Sequence, residues 1–527
     1  MVLRPSRARP ADRKQTETDK RPQSQLKTYA APTAGLVTAV NLSQAPASTA
    51  VVLDNFLPYE AGSKPRGGYV VKATTESDVT KLFQYRAGGA AEFFAADETK
   101  IYEFSQATPE GTALTASVTG QTSGEYSALE TETAGGSFLT VVNGADPAQQ
   151  YNGTSWSVPS FTGVSSALLS HVWAYRNRQW FIEKNTMSAW YLGINSVSGT
   201  ATEFPLAGIF NLGGVLLFGE TFSSDAGDGL DDRTIFVTDQ GEVAIYSGDP
   251  AVDIALQGVY RMGEPLGRDA YFKVGGDVMI CTREGLIPVS AVTSKDPGAL
   301  QAQAVSRSIE PDWRESVQIG GAGWSVSKYE RGGFAFIAPP TLSGQVPRGF
   351  AVSLRTGAWT TITGWDANTM AVLGDYPYFG SGTSICQAET GGTDDGASFT
   401  CSICYQFDHL GAPAVIKRAG LARMTFRSRV SFNAKVSIAS DYNTTFQSAP
   451  ALSDPSATTD SLWDVSSWDV VDWGKGFSNY SVTSKWESVS GQGFVLAPQV
   501  QILSAGVARV DCELVSIDLT YMSGEPL

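Results

Sequence analysis

The sequence predicts an all-β protein with a flexible basic arm at residues 1–30, a β-propeller of about seven blades at residues 31–400, and a β-sandwich-like domain at residues 401–527. Three observations support this fold class. Glycine (54 of 527 residues) and aromatic residues (11%) are both abundant, which favours short strands joined by tight turns. A strand–turn–strand unit recurs along the first 400 residues. After residue 400, apolar and polar residues alternate instead.

The arm is basic, whereas the rest of the chain is acidic. Residues 1–30 hold eight basic and three acidic residues, about +5, so the rest is near −20, given a net charge of −15. Because this segment has almost no apolar residues, we expect it to be disordered unless a partner holds it. Its basic residues are Arg4, Arg7, Arg9, Arg13, Lys14, Lys20, Arg21 and Lys27.

Cysteine usage and apolar stretches predict the cellular setting. The five cysteines are too few, and odd in number, for a secreted disulfide scaffold, which favours assembly in a reducing cytoplasm. Residues 1–30 lack the apolar run of a signal peptide. Residues 208–219 (GIFNLGGVLLFG) are too short and too rich in glycine to span a bilayer. We therefore expect a soluble protein.

The propeller prediction depends on the recurring unit, which consists of an apolar strand, a turn and a second strand. Its copies begin at residues 93, 138, 180, 234, 277, 333 and 378, at intervals of 42 to 56 residues. A four-stranded propeller blade needs about 40–50 residues. Gly241, Gly285 and Gly357 stand in the turns, where the backbone needs positive φ. Seven copies predict seven blades, with six or eight also open; the alternative is a series of β-sandwiches.

Two other segments have recognisable periodicity. Residues 297–310 (PGALQAQAVSRSIE) predict a helix inserted between blades, with Asp296 as N-cap and Pro297 at the first helical position. Residues 430–439 and 515–521 alternate between apolar and polar residues, which is typical of strands with one buried face.

Residues for catalysis or metal binding are sparse, and we predict no catalytic, cofactor-binding or metal-binding site. Only two histidines occur, His171 and His409, so a multi-histidine metal centre is excluded. Cys401 and Cys404 form a single CxxC without a second pair, in a stretch apolar enough to be a strand. Neither a P-loop nor a GxSxG motif occurs.

Two segments leave an alternative open. Residues 225–232 (DAGDGLDD) contain Asp225, Asp228, Asp231 and Asp232, which suit a hard cation such as calcium, although their spacing does not fit an EF-hand. The simpler interpretation is a solvated acidic loop. Residues 353–359 (SLRTGAW) resemble the Asp-box turn of sialidase-type propellers but lack its aspartate and occur once, so a glycosidase is a minor alternative.

Three tryptophans recur every five residues within residues 462–476 (LWDVSSWDVVDWGKG). Trp463, Trp468 and Trp473 follow neither a helical nor a strand period. An irregular segment must bury such large rings either in its own domain or against a neighbouring subunit.

Taken in order, several segments resemble the tail nozzle family of short-tailed bacteriophages (podophages), which is related to tail tube protein B. They are residues 31–36 (APTAGL), 50–58 (AVVLDNFLP), 64–68 (KPRGG), 135–144, 151–156 (YNGTSW), 177–190, 225–232 and 463–473. The resemblance covers residues 30–527. No single motif is specific, but their joint order is.

The resemblance implies a structural virion protein rather than an enzyme, with no catalytic residues to carry over. Six copies would form a ring around the distal DNA-ejection channel of the tail, below an adaptor protein. Tail fibres or tailspikes would lie alongside, with the host envelope at the tip. Genomic DNA would pass through the lumen without specific binding, which agrees with an acidic body. The alternative is a receptor-binding or lectin-like tail propeller.

Overall fold

A computed structural model describes residues 24–87, 91–223, 232–293, 297–446, 451–453 and 481–526. Strands account for 52% of the residues and helices for 6%, so the predicted all-β class is confirmed. Among the described residues no helix is long and apolar enough to cross a bilayer.

Five strands precede the propeller: β1 (Gln25–Ala30), β2 (Gly35–Leu36), β3 (Thr49–Asp54), β4 (Phe56–Pro58) and β5 (Ser63–Pro65). β1 pairs antiparallel with residues 516–521 near the C-terminus. The last six residues of the predicted flexible arm are therefore part of a sheet, and residues 1–23 lie outside the described part of the chain.

Six sheets of three to five strands form propeller blades, and five of them are built from successive antiparallel hairpins. Blade 1 contains β7 (Lys81–Tyr85), β8 (Glu92–Ala96), β9 (Lys100–Phe104) and β11 (Ala116–Thr119). Blade 2 contains β12 (Ser127–Thr133), β13 (Gly136–Val142), β14 (Gln149–Tyr151) and β15 (Trp156–Ser157). Blade 3 contains β17 (Leu169–Tyr175), β18 (Arg178–Glu183), β19 (Ser188–Tyr191) and β21 (Thr202–Pro205). Blade 4 contains β22 (Leu216–Ser223), β23 (Asp232–Thr238), β24 (Glu242–Ser247) and β25 (Ala255–Arg261). Blade 5 contains β26 (Tyr271–Val274), β27 (Asp277–Thr282) and β28 (Gly285–Pro288).

The sixth sheet closes the ring with strands from both ends of the propeller. Here β33 (Thr369–Leu373), β34 (Tyr376–Ser381) and β35 (Ser384–Ala388) are completed by β6 (Tyr69–Thr74), which also pairs with β10 (Thr112–Ala113). A further small sheet joins β16 (Phe161–Thr162) to β20 (Gly199–Thr200). Closure by strands distant in sequence fixes the two ends of the propeller to each other.

Between blade 5 and the closing blade stand β29 (Ser325–Tyr329), β30 (Phe334–Ala338), β31 (Arg348–Ser353) and β32 (Trp359–Thr363). β29 packs against both β26 and β33, as the inner strand of a blade would. These four strands are not a separate sheet, however, because they continue into a ten-stranded sheet with β3 and strands from the C-terminal region. Six blades are thus separate sheets, against the expected seven. The repeat beginning at residue 333 is the unit joined to the larger sheet.

The C-terminal strands build two sheets that pack face to face. They are β36 (Phe399–Tyr405), β37 (Val415–Ser428), β38 (Ala434–Ser440), β39 (Leu452–Ser453), β40 (Ser481–Ser488), β41 (Gln492–Gly493), β42 (Leu496–Ser504) and β43 (Cys512–Pro526). One shared hydrophobic core includes Phe426 and Ile517 from one sheet and Ile403 and Val500 from the other. Because β3 pairs with β36, and β1 and β5 with β43, the predicted boundary at residue 400 does not separate the sheets.

Helix is confined mainly to the connection between β28 and β29. The helices are α1 (Val289–Val292), α2 (Pro297–Leu300) and α3 (Glu310–Gly320), with 3₁₀ turns at Ser166–Leu168, Gln301–Gln303 and Val305–Ile309. The prediction of one helix over residues 297–310 was wrong, since that segment breaks into short turns. The longest helix of this connection, α3, begins at Glu310, the last residue of the predicted helix. Pro311 lies in its first turn, and the carboxylates of Glu310 and Asp312 lie near its positive N-terminus.

Candidate assembly surface

One seven-stranded sheet presents an outer face to solvent, and β4, β5 and β41 are three of its strands. We call its other four strands, β1, β43, β37 and β40 in that order, the outer sheet. Side chains alternate along β37, so that Ala422, Met424 and Phe426 point into the core while the residues between them point outward. Residues directly opposite each other on paired strands share a face. The register therefore places Thr28, Asp518, Arg423 and Trp486 in one row across the outer face.

Ion pairs link β37 to β43 along this face. Arg423 donates two hydrogen bonds to Asp518 Oδ2, at 2.9 and 2.6 Å, and Thr28 donates to the other carboxylate oxygen at 2.5 Å. Burial alone would raise the pKa of Asp518, but the hydrogen bond from Thr28 and the bond and charge of Arg423 lower it below its usual value. Asp518 is thus an ionised anchor that orients the Arg423 guanidinium.

Two more pairs repeat this arrangement further along the strands. Arg427 lies 3.6 Å from Glu513, and Arg429 lies 3.9 Å from Asp511. The Asp518 and Glu513 side chains are only 8% and 7% exposed, whereas Arg423 and Arg427 are 38% and 45% exposed. The Asp518 and Glu513 carboxylates are therefore covered, and the outer face presents arginine side chains that are paired with them.

Large apolar side chains lie among these arginines. The Arg423 guanidinium stands 4.9 Å from the centre of the Trp486 ring, within the range of a cation–π contact. Leu26, Leu421, Val482 and Trp486 are 59%, 43%, 66% and 39% exposed. Arginine and tryptophan are among the residues that protein–protein interfaces favour at their centres, and the buried core of an interface is more apolar than the rest of a protein surface.

Both edges of the outer sheet are open in the described part of the chain. β1 is hydrogen-bonded only to β43, and β40 only to β37. Residues 482–486 of β40 are exposed on both faces of the strand. Thr483 and Lys485 lie opposite the core residues Phe426 and Met424, but they are themselves exposed, so the core ends at β37. An exposed strand edge is a template for pairing with another strand.

The centre of the propeller, in contrast, is crossed by polar contacts. Asp269, just before blade 5, forms an ion pair with Lys81 of blade 1. Its neighbour Arg268 donates to the carbonyl of Ser170 in blade 3 at 3.1 Å and lies 3.6 Å from the Glu125 carboxylate, next to blade 2. These contacts join the segment before blade 5 to blades 1 and 3 and to the residues before blade 2.

His171 lies buried beside this crossing and links three inner strands. Its Nε2 donates to the Gly219 carbonyl at 2.9 Å, since a carbonyl can only accept, and its Nδ1 accepts from the Ser127 hydroxyl at 3.1 Å. Burial, the largest effect, lowers the pKa of His171 to about 3, so the ring is neutral near pH 7. His171 is thus a structural hydrogen-bonding residue here.

A buried arginine joins the ten-stranded sheet to the segment that follows the closing blade. Arg66, in the segment between β5 and β6, forms two hydrogen bonds with Asp394, at 2.8 and 2.7 Å. It also donates to Asn55 Oδ1 and to the carbonyls of Gly67 and Thr363. Every donor group of the guanidinium is used, so residues 64–68 (KPRGG) serve as a structural junction.

An open groove of about 310 Å³ lies beside this junction, between the β4–β5 turn and the turns at residues 330–333 and 353–355. Tyr59, Glu60, Arg331 and Arg355 line it. Burial raises the pKa of Tyr59 to about 12, which keeps its hydroxyl protonated as a hydrogen-bond donor.

The other sequence-selected residues do not come together in one site. Cys401 and Cys404 are both buried on β36, but they belong to different hydrophobic cores. His409 lies in the loop after β36, whereas His171 lies in β17 of blade 3. Residues 353–359 form a β-hairpin turn whose Trp359 is fully buried. Asp232 begins β23, whereas Asp225, Asp228, Asp231 and the three tryptophans Trp463, Trp468 and Trp473 lie outside the described residues.

Sequence reasoning did not select the arginines of the outer face. Their signal was available in residues 421–428 (LARMTFRS), where arginines occupy the polar positions of a strand with an apolar opposite face. Nothing in that stretch identifies Asp518 or Trp486 as neighbours of Arg423, because both lie more than 60 residues from it in the sequence.

The fold defines the class of this protein: it is a β-propeller joined to a packed pair of β-sheets. No family model matches the chain, and no curated protein matches its sequence. A solved structure of U3-55K is 11% identical, with a TM-score of 0.35, over 61% of this chain and 98% of the other. BBS1N, solved in complex with ARL6DN, is 10% identical, with a TM-score of 0.25, over 39% and 74%. These likenesses are too distant to indicate a function.

Proposed function

We propose that this chain is a structural virion protein, the tail nozzle subunit of a short-tailed phage, and that it has no catalytic role. Copies would form a ring, six in number by the resemblance to nozzles, around the channel through which DNA leaves the particle. The ring would dock on the adaptor protein above it. The protein would be found in the virion tail after assembly in the host cytoplasm.

The observation that carries the proposal is the outer sheet, which combines exposed arginine, tryptophan and aliphatic side chains with two open strand edges. A subunit of an assembly needs such surfaces, whereas an isolated propeller would leave them in water. In this proposal the DNA path runs between the subunits, and the contacts that Arg268 and Asp269 make between blades are consistent with it. The acidic chain would present few attractive contacts to phosphate.

Immunogold labelling of purified phage particles with an antiserum to this chain tests the assignment. We expect label at the tail tip, on the axis of the particle. Label only on peripheral fibres would favour a receptor-binding protein, and absence of label would remove the chain from the virion.

A receptor-binding or lectin-like propeller is the second candidate, and the groove at Tyr59 favours it. The phenol and the two arginines of the groove could hydrogen-bond sugar hydroxyl and carboxylate groups. Binding of the purified chain to host surface glycans, lost on Arg331→Ala and retained in Arg307→Ala, would support this function.

A further inference from the structure

We infer that neighbouring copies of this chain join by adding the open edge of β40 in one copy to the open edge of β1 in the next. The inference deepens the proposed function, because it assumes the ring and names the contact that builds it. It rests on strand direction, strand exposure and charge.

Strand direction permits a continuous sheet across the junction. β1 is antiparallel to β43, β43 to β37, and β37 to β40. β1 and β40 therefore run in opposite directions at the two ends of the outer sheet. When copies associate head to tail, β1 of the next copy lies antiparallel to β40 and the alternation continues unbroken. Two β1 edges, or two β40 edges, would instead require the copies to face each other across a two-fold axis.

Exposure shows that these edges have little cover within the described chain. Residues 25–28 of β1 and 482–486 of β40 are exposed. Leu26 on β1 and Val482 and Trp486 on β40 point to the outer face, so pairing of the edges would bring these apolar side chains together across the junction.

The charge distribution of the chain favours a second copy of the same chain as the partner at the open edge. Residues 1–23, which lead directly into β1, contain seven basic and three acidic residues, or +4, so the rest of the chain is near −19. In a head-to-tail contact the start of β1, which these residues precede in the sequence, meets the acidic body of the neighbouring copy. Opposite charges at the contact favour association and oppose contact between two like bodies.

Head-to-tail contacts have a distinctive cross-linking result. Leu26→Cys and Ser484→Cys would be purified separately as full-length proteins and treated with a short bifunctional maleimide, alone and mixed. The five native cysteines are buried, so the unmodified chain is the control. We expect a covalent dimer only in the mixture, and longer covalent multimers when one chain carries both substitutions.

Other cross-linking results overturn the inference. A dimer from Leu26→Cys alone would indicate two β1 edges in contact, and a dimer from Ser484→Cys alone would indicate two β40 edges. No product in the mixture would show that these edges do not meet, including the case in which another segment of the same chain covers β40.

A pair of proline variants provides a second test. Neighbouring amides in an edge strand point alternately towards its partner strand and towards the open edge. Of Thr483→Pro and Ser484→Pro, one should lose thermal stability, and the other should keep its melting temperature but lose self-association in analytical ultracentrifugation. If both assemble as the unmodified chain does, the edge contact is wrong.

The experiments separate this inference from the proposed function. If the proline variant whose amide points to the open edge still formed rings at the tail tip, the edge contact would be rejected. The nozzle function would not be affected by that result. A mixed cross-link formed by a chain that immunogold labelling does not find in the tail would reject the nozzle function and leave the edge contact intact.

Discussion

Replacing Asp394 by asparagine should strongly destabilise the protein, because it leaves a buried arginine without its counter-ion. Arg66 has a fully buried side chain, and its two bonds to Asp394 are the only charged interactions among its five hydrogen bonds. The ring of Phe399 lies 3.9 Å from the guanidinium and excludes water on one side.

The expected size follows from the burial of the pair. Removal of one partner from a buried ion pair costs about 3–5 kcal/mol, since the remaining charge cannot be hydrated. Asparagine keeps the shape of the carboxylate but would turn an amide donor towards a guanidinium donor. The double variant Arg66→Met with Asp394→Leu should recover part of this loss, because no buried charge then remains.

Urea unfolding followed by tryptophan fluorescence measures the effect, and Glu60→Gln is the matched control. Glu60 pairs with Arg355 at 4.0 Å, where the two side chains are 67% and 77% exposed. Breaking such a surface pair should cost less than about 1 kcal/mol. If Asp394→Asn lowered the free energy of unfolding no more than Glu60→Gln, the argument that the buried Arg66–Asp394 pair stabilises the fold would be refuted.

Three further predictions concern the junction, the propeller centre and the outer sheet. Gly68→Ala should destabilise the protein by about 1–3 kcal/mol in thermal melts, since its Cβ would lie 1.8 Å from a carbonyl oxygen; Gly135→Ala, with 3.6 Å of space, should not. The lowered pKa of His171 means that only the unfolded chain binds this proton between pH 6.5 and about 3, so stability falls as pH falls through that range, by about 2 kcal/mol at pH 5. His171→Gln should flatten that part of the profile, and an unchanged slope would contradict the assignment. Trp486→Ala should weaken self-association by about 2 kcal/mol, roughly 30-fold, in sedimentation equilibrium, whereas Val252→Ala should leave it unchanged.

Local sequence patterns predicted the propeller units well. Each of the seven recurring units corresponds to successive strands of one blade or of the β29–β32 set, for instance β23 and β24 in the unit starting at residue 234. The turn glycines Gly241, Gly285 and Gly357 have φ values of 78°, 143° and 69°, as the turn chemistry requires. Such features depend only on residues close in sequence, and therefore the sequence expresses them directly.

Pairing between distant segments was not predictable in this way. Residues 25–30 (QLKTYA) have one buried side chain, Tyr29, so they show no apolar alternation, and only β43 makes them a strand. For the same reason the assembly surface was missed: Arg423 is evident in its strand, but its contacts with Asp518 and Trp486 depend on pairing across 95 and 63 residues. The nozzle assignment itself stays a prediction based on resemblance.

The order of synthesis has a consequence for a chain closed in this way. β6 can complete its blade only after β35 has been synthesised, and β1 can pair only after β43, which ends at residue 526. At translation rates of about 5–20 residues per second, β1 emerges roughly 25–100 s before its partner exists. During that interval β1 has no partner strand, and pairing of β1 with another nascent chain competes with native closure. In a truncated chain without β43, β1 would stay without a partner strand. The last fifteen residues of the fold therefore limit misassembly between chains.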